Sequence, residues 1–127
     1  MPSATPRLIL VVENDPPLLQ TLADTVTALG YDATLATTAA DGVTLAEVAP
    51  PAAIILDIAV PEMSGQTTLE QLKTVHPGVP IIMLAPAAAE GFVRDLLKRG
   101  AFDYVTKPLN VPHLTEVLRA AVRRSGN

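Results

Sequence analysis

The chain has 127 residues, enough for one ordinary domain and too few for two. Apolar residues make up 49% of it and charged ones 17%, which excludes a disordered chain. Aromatics are only 3%, so Val, Leu, Ile and Ala must build the core. A net charge of −4 argues against a nucleic-acid surface, the lack of cysteine excludes disulfides and thiolate metal sites, and no apolar stretch is long enough to span a bilayer.

Residues 1–6 have no apolar h-region and are not a signal peptide; a short mobile tail is expected there. A single domain is expected over 7–124, with a short C-terminal tail at 125–127. Leu8–Val12 is an unbroken apolar run, the pattern of a strand covered on both faces, and it ends in Glu13-Asn14-Asp15. Asp15 followed by Pro16 predicts an N-cap with proline in the first helical turn. Leu18, Leu22, Val26 and Leu29 then share one helix face, and Gly30 supplies the stop. Tyr31–Ala36 is a more mixed strand, suited to a sheet edge. Thr38 with Asp41 resembles a capping box and opens a helix that Pro50-Pro51 ends.

The run Ala52–Leu56 leads directly into Asp57. A third helix is expected from about Gly65 to His76, then a buried strand over Pro80–Leu84. Ala85–Ala89 reads as a featureless loop at a strand end, and a fourth helix is expected from Glu90 to Arg99, stopped by Gly100. The strand Ala101–Thr106 ends in Lys107-Pro108. The last helix starts at Asn110 or Val111 and repeats apolar residues at Leu114, Val117, Leu118, Ala121 and Val122. Arg119, Arg123 and Arg124 are read as its last turns, where cations suit the dipole.

Strand and helix thus alternate five times, which predicts an α/β fold with a parallel sheet. In such folds ligands bind beyond the carboxyl ends of the strands. Those ends carry Glu13, Asp57 and Lys107: acid, acid and base around one carboxylate. The residues after the first strand exclude a P-loop and a dinucleotide fingerprint, since Glu-Asn-Asp-Pro-Pro has neither the glycines nor the lysine. The two carboxylates argue against a flavodoxin. Ala59 stands where a haloacid dehalogenase-type nucleophile needs a second Asp.

Three segments carry a resemblance: Leu10–Pro16, Leu56–Gly65 and Gly100–Pro108. Together, in this order, they resemble the receiver domain of two-component response regulators, over nearly the whole chain. The resemblance implies a (βα)5 flavodoxin-like sandwich with a five-stranded sheet in the order 2-1-3-4-5. It implies a cytoplasmic signalling protein with no activity beyond self-phosphorylation and self-dephosphorylation. Asp57 would accept a phosphoryl group from a sensor histidine kinase or a phosphotransfer protein. Glu13, Asn14, Asp57 and the Ala59 carbonyl would hold Mg²⁺, and Lys107 would neutralise phosphoryl oxygens beside a cis Lys107–Pro108 peptide. Tyr104 matches the aromatic switch position. The face made by the fourth helix, fifth strand and fifth helix is the family's usual output and dimer surface. There Arg94, Asp95, Lys98, Glu116 and Arg119 are candidates for inter-subunit ion pairs, with a solvated face of mixed charge as the other reading. No nucleic-acid or membrane partner is implied for this segment.

Two positions depart from the family's pattern. Asn14 replaces a metal-binding Asp, keeping an amide oxygen but no charge, so Mg²⁺ affinity is expected to fall. Ala85 replaces Thr or Ser, removing a hydroxyl that would donate to the phosphoryl group; such a charge-assisted bond is worth roughly 1.5–3 kcal/mol. These departures motivate an alternative: a receiver used as a phosphorylation-independent interaction module. The chain ends soon after the fifth helix, so it is expected to be either a stand-alone receiver or one belonging to a longer chain.

Overall fold

The computed structural model describes residues 7–125. The strands are β1 (Leu8–Val12), β2 (Asp32–Ala36), β3 (Ala53–Asp57), β4 (Ile81–Pro86) and β5 (Asp103–Lys107). The helices are α1 (Pro16–Ala28), α2 (Ala39–Val48), α3 (Gly65–Val75), α4 (Glu90–Lys98) and α5 (Val111–Ser125). All strand pairs are parallel, in the order β2-β1-β3-β4-β5, the order expected from the resemblance. The expected N-terminal tail lies outside the described residues, as do residues 126 and 127. Ser125 closes α5.

The apolar runs are continuous because the sheet is covered twice. Side chains alternate across a strand, so each run supplies two faces. Leu10, Val12, Ile54, Leu56, Ile81, Met83 and Ala85 face α2, α3 and α4, where Leu69, Leu72, Val93 and Leu96 meet them. Ile9, Val11, Ala53, Ile55, Ile82 and Leu84 face α1 and α5, against Leu22, Val26, Leu114 and Leu118. The mixed composition of β2 and β5 reflects their places at the two edges.

Local signals set most boundaries. Thr38 Oγ1 accepts the Asp41 N–H at 3.1 Å, and Ser64 Oγ accepts the Thr67 N–H at 3.0 Å, opening α2 and α3. Gly30 (φ 90°) and Gly100 (φ 112°) end α1 and α4 in the left-handed conformation a glycine tolerates. Asp15 occupies the N-cap of α1, but its side chain makes no capping bond. Pro17 removes the N–H at the second helical position, and the N–H of Leu18 at the third is not taken by the Asp15 side chain. Ala85–Ala89 is not a featureless loop. Ala85 and Pro86 complete β4, and Ala87–Ala89 form a 3₁₀ turn running directly into α4. Proline tolerates a strand end, and alanine favours helical backbone.

Gly42 brings α2 close to β1. A Cβ there would lie 2.8 Å from Val12 Cγ2, closer than carbon atoms approach, so the residue just before Glu13 is seated under a glycine.

Candidate functional site

A parallel sheet brings every strand's carboxyl end to one edge, and this chain reverses direction of winding beside β1. From β1 the chain goes outward to β2, then crosses back to β3 on β1's other side. The crevice between β1 and β3 is therefore the switch point at which α/β folds bind ligands. The register pairs Val12 with Leu56, so Glu13 and Asp57, the next residues on each strand, stand level at its mouth. Lys107 arrives from the end of β5, two strands from β3.

Asp57 is 3% exposed and fully engaged. Its Oδ2 accepts the Lys107 Nζ at 2.5 Å, and its Oδ1 accepts the Ala59 N–H at 2.8 Å. Burial alone would raise its pKa. The neighbouring Glu13 carboxyl, Lys107 and the Ala59 amide together outweigh burial and hold it below the ordinary carboxylate value. Lys107 remains partly in water, with 28% of its side chain exposed. The Lys107–Pro108 peptide is cis.

Glu13 is in the opposite condition. It is 1% exposed, and its Oε2 accepts the Asp15 N–H at 3.0 Å. Its Oε1 is buried and has no hydrogen-bond partner. Burial first, and the neighbouring Asp57 carboxyl second, push its pKa up to about 7, against the Asp15 amide and Lys107, which pull it down. An unpartnered carboxylate oxygen beside a second carboxylate is a place a hard cation fits, because it supplies the charge and the bond that Glu13 lacks. Asn14 is exposed next to it. Among the described residues no cluster of three or more acidic, His or Cys side chains could hold a metal ion.

The expected site residues fall into two groups. Glu13, Asp57, Ala59 and Lys107 come together, although Ala59 engages Asp57 through its N–H, a contact the sequence did not suggest. Ala85 is buried at the end of β4, and Tyr104 is half-buried, packed on the cluster under α2, α3 and α4. His76 is the C-cap just after α3 and His113 lies in the first turn of α5, both away from the strand ends that carry Glu13, Asp57 and Lys107. Arg94 is paired with Glu90 of its own helix at 2.5 Å. Arg124 lies over the Phe102 ring, 5.5 Å from its centre, and with Arg123 it falls in the last turn of α5.

A doubly wound five-stranded sheet whose switch point holds a lysine-bound aspartate and a buried glutamate defines a class of phosphoryl-handling signalling domains. The comparisons agree. The response regulator receiver domain family matches residues 9–119, and the chain belongs to that family. It is 36% identical to TcrX of Mycobacterium tuberculosis, described as a probable transcriptional regulatory protein, over 95% of this chain and 52% of that one. It is also 36% identical to the transcriptional regulatory protein KdpE of the same species, over 93% of this chain and 52% of that one. The chain thus spans about half the length of these curated relatives. Among solved structures, a CheY-like receiver domain protein from Methanospirillum hungatei superposes with a TM-score of 0.89 at 27% identity, covering 96% of this chain and 98% of that one. The protein is a receiver domain of the two-component response regulators, a family that signals rather than one that turns over substrate. The phosphorylation-independent alternative finds no support in these relatives. Among the described residues no helix is long and apolar enough to cross a membrane.

Proposed function

We propose that Asp57 accepts a phosphoryl group from a phosphohistidine of a sensor kinase or phosphotransfer protein, and that the added charge is this chain's signal. One Asp57 oxygen attacks phosphorus, the donor's N–P bond breaks, and the imidazole leaves with the electron pair. The observation carrying this reading is the contrast inside the pocket: a buried Asp57 kept anionic by Lys107 and the Ala59 amide, beside a Glu13 with one oxygen unpartnered. An anionic nucleophile is already formed, and Lys107 is placed to follow the incoming oxygens as a point charge.

Mg²⁺ suits the remaining need. Glu13, Asp57, the Asn14 amide oxygen and the Ala59 carbonyl are the residues that would hold it; when bound it neutralises charge on the transferred group. The Asn14 substitution lowers the negative charge available to it. With a small phosphoryl donor the chain needs no kinase for transfer, so self-phosphorylation and the later hydrolysis, in which water attacks the aspartyl phosphate and releases inorganic phosphate, belong to the same pocket. Tyr104 is the element that reads the change, its link to Asp57 weakened by Ala85. A homodimer through α4, β5 and α5 fits the mixed charge of that face, and the cytoplasm is where a histidine kinase would meet it.

The test is a mass measurement. Incubation with acetyl phosphate and Mg²⁺ is expected to add one phosphoryl group, and Asp57→Asn to lose it. An unmodified wild-type mass, together with no Mg²⁺ binding in a titration, overturns the proposal.

A further inference from the structure

Asp15 stands where a helix cap belongs and does not act as one. Its backbone is extended (φ −85°, ψ 111°), as a cap's is, yet its side chain makes no capping bond to α1. Thr38 and Ser64, at the same position on α2 and α3, do accept such bonds. No other hydrogen bond or ion pair engages the Asp15 carboxylate among the described residues, and the residue is exposed.

The Asp15 amide, by contrast, is committed. It donates to Glu13 Oε2 at 3.0 Å. That bond ties the residue to the buried carboxylate whose other oxygen, Oε1, has no partner. An aspartate's carboxylate oxygens lie within about 5 Å of its own nitrogen, so those of Asp15 stay within roughly 8 Å of Glu13 Oε2 whatever the rotamer. Mg²⁺ binds oxygen at about 2.1 Å and keeps several waters, and a coordinated water reaches a carboxylate about 2.8 Å further on. One carboxylate, the ion, a water and a second carboxylate thus span about 7 Å, a separation open to Glu13 and Asp15. Among the described residues no third acidic side chain joins Glu13 and Asp57 closely enough to hold an ion directly, so Asp15 acts from one water out.

The geometry points to Asp15 as the residue that supplies, through a metal-bound water, the negative charge that Asn14 withholds from Mg²⁺. The inference rests on the reading of Glu13 and Asp57 as a phosphoryl pocket that takes the ion, and it adds a residue to that pocket. Asn14 keeps an amide oxygen beside Glu13 but no charge. The next residue carries one, and α1 does not take it up. A carboxylate at a helix N-terminus also suits the helix dipole. That role would change metal-free stability and leave Mg²⁺ affinity unaltered.

The experiment is a calorimetric titration of the full chain with Mg²⁺ at low ionic strength, with no phosphoryl donor present. Asp15→Asn keeps a side chain equally fit for an N-cap and removes only the charge. It is expected to weaken Mg²⁺ binding about three- to fivefold. Asp15→Glu is expected to stay within about twofold of wild type. Asp24→Asn, which removes the same charge further along α1, is expected to change nothing. The Asp15→Asn difference is expected to shrink in high salt, because an exposed charge is screened. Wild-type Mg²⁺ binding with an unaffected Asp15→Asn overturns the inference and leaves Asp57 as acceptor. A loss that Asp24→Asn matches, or one that salt leaves unchanged, also overturns it: the first marks net charge alone, the second direct ligation. Wild type that binds no Mg²⁺ overturns it as well, and only the further absence of an acetyl phosphate adduct that Asp57→Asn abolishes reaches the acceptor reading.

Discussion

The two halves of the pocket are built from the same residue types and end in opposite electrostatic conditions. On the β3–β5 side, Asp57 has a partner on each oxygen and is stabilised as an anion. On the β1 side, Glu13 is as deeply buried, yet one oxygen has no partner and the charged form is disfavoured up to about pH 7. Burial is nearly equal, so burial does not explain the difference. What differs is the partners: the two carboxyls act on each other, raising the pKa of Glu13 and lowering that of Asp57, and the lysine adds to the second effect. Lys107 reaches Asp57, while the residue beside Glu13 is a neutral Asn14. The pocket therefore holds one carboxylate with both oxygens partnered and leaves the other with an open oxygen, on the side where a divalent cation fits.

The largest effect is expected from erasing the difference at Lys107. Lys107→Met leaves Asp57 buried and without its cation. Phosphoryl transfer measured by intact mass should slow about a hundredfold or more, and chemical denaturation should show a loss of roughly 2 kcal/mol, below the cost of a fully buried pair because Lys107 is partly in water. Asn14→Asp acts on the other half. It should tighten Mg²⁺ roughly tenfold in a titration, by adding a charged ligand, while lowering metal-free stability by crowding a third carboxylate beside Glu13 and Asp57. Equal stability with and without the substitution in metal-free buffer would break the comparison.

The pH dependence separates the two carboxylates by sign. Glu13 has a raised pKa, so the folded state holds more protons than the unfolded one between about pH 4.5 and 7. Metal-free stability from Glu13 falls through that window and is flat above it. Asp57 has a lowered pKa; its contribution is present above 3.8 and is lost as pH falls through its folded value. Denaturation curves should therefore show Glu13→Gln removing the decline between about pH 4.5 and 7 while leaving the acid limb in place.

Two backbone positions test the scaffolding of each half with smaller effects. Gly42→Ala pushes on Val12, under Glu13, and should cost about 1–2 kcal/mol by denaturation despite alanine's better helix propensity. Glu62, in the turn after Asp57, has φ 80°, a conformation that strains a side-chain-bearing residue. Glu62→Gly should stabilise the protein by about 0.5–1 kcal/mol, with Asp57 phosphorylation unchanged.

Much of the fold was readable in the chain. The three apolar runs, the two mixed strands, the prolines and the glycines placed nearly every element within a residue or two, since strand alternation, helix caps and left-handed glycines are local effects. Asp57, Glu13 and Lys107 were readable as strand-end residues for the same reason. Local rules failed where two of them competed. Asp15 has the right side chain to cap α1, but Pro17 removes one of the two N–H groups a cap can use, and the other, on Leu18, is not taken. Ala85–Ala89 looked structureless because alanine has no polar signal, although it continues β4 and then turns into α4.

The amino-acid order by itself determined which residues lie at strand ends, because periodicity and turn chemistry act over a few positions. It also named the departures, Asn14 and Ala85, once the resemblance supplied a pattern to depart from. Only the tertiary structure decided the electrostatic outcome. Lys107 is fifty residues from Asp57, and only parallel pairing across β4 brings them within a hydrogen bond. Whether a buried carboxylate is an anion or holds a proton depends on which partners the fold brings to each oxygen. That is a property of positions in space, and it made Asp57 and Glu13, alike in chemistry and burial, into two different groups.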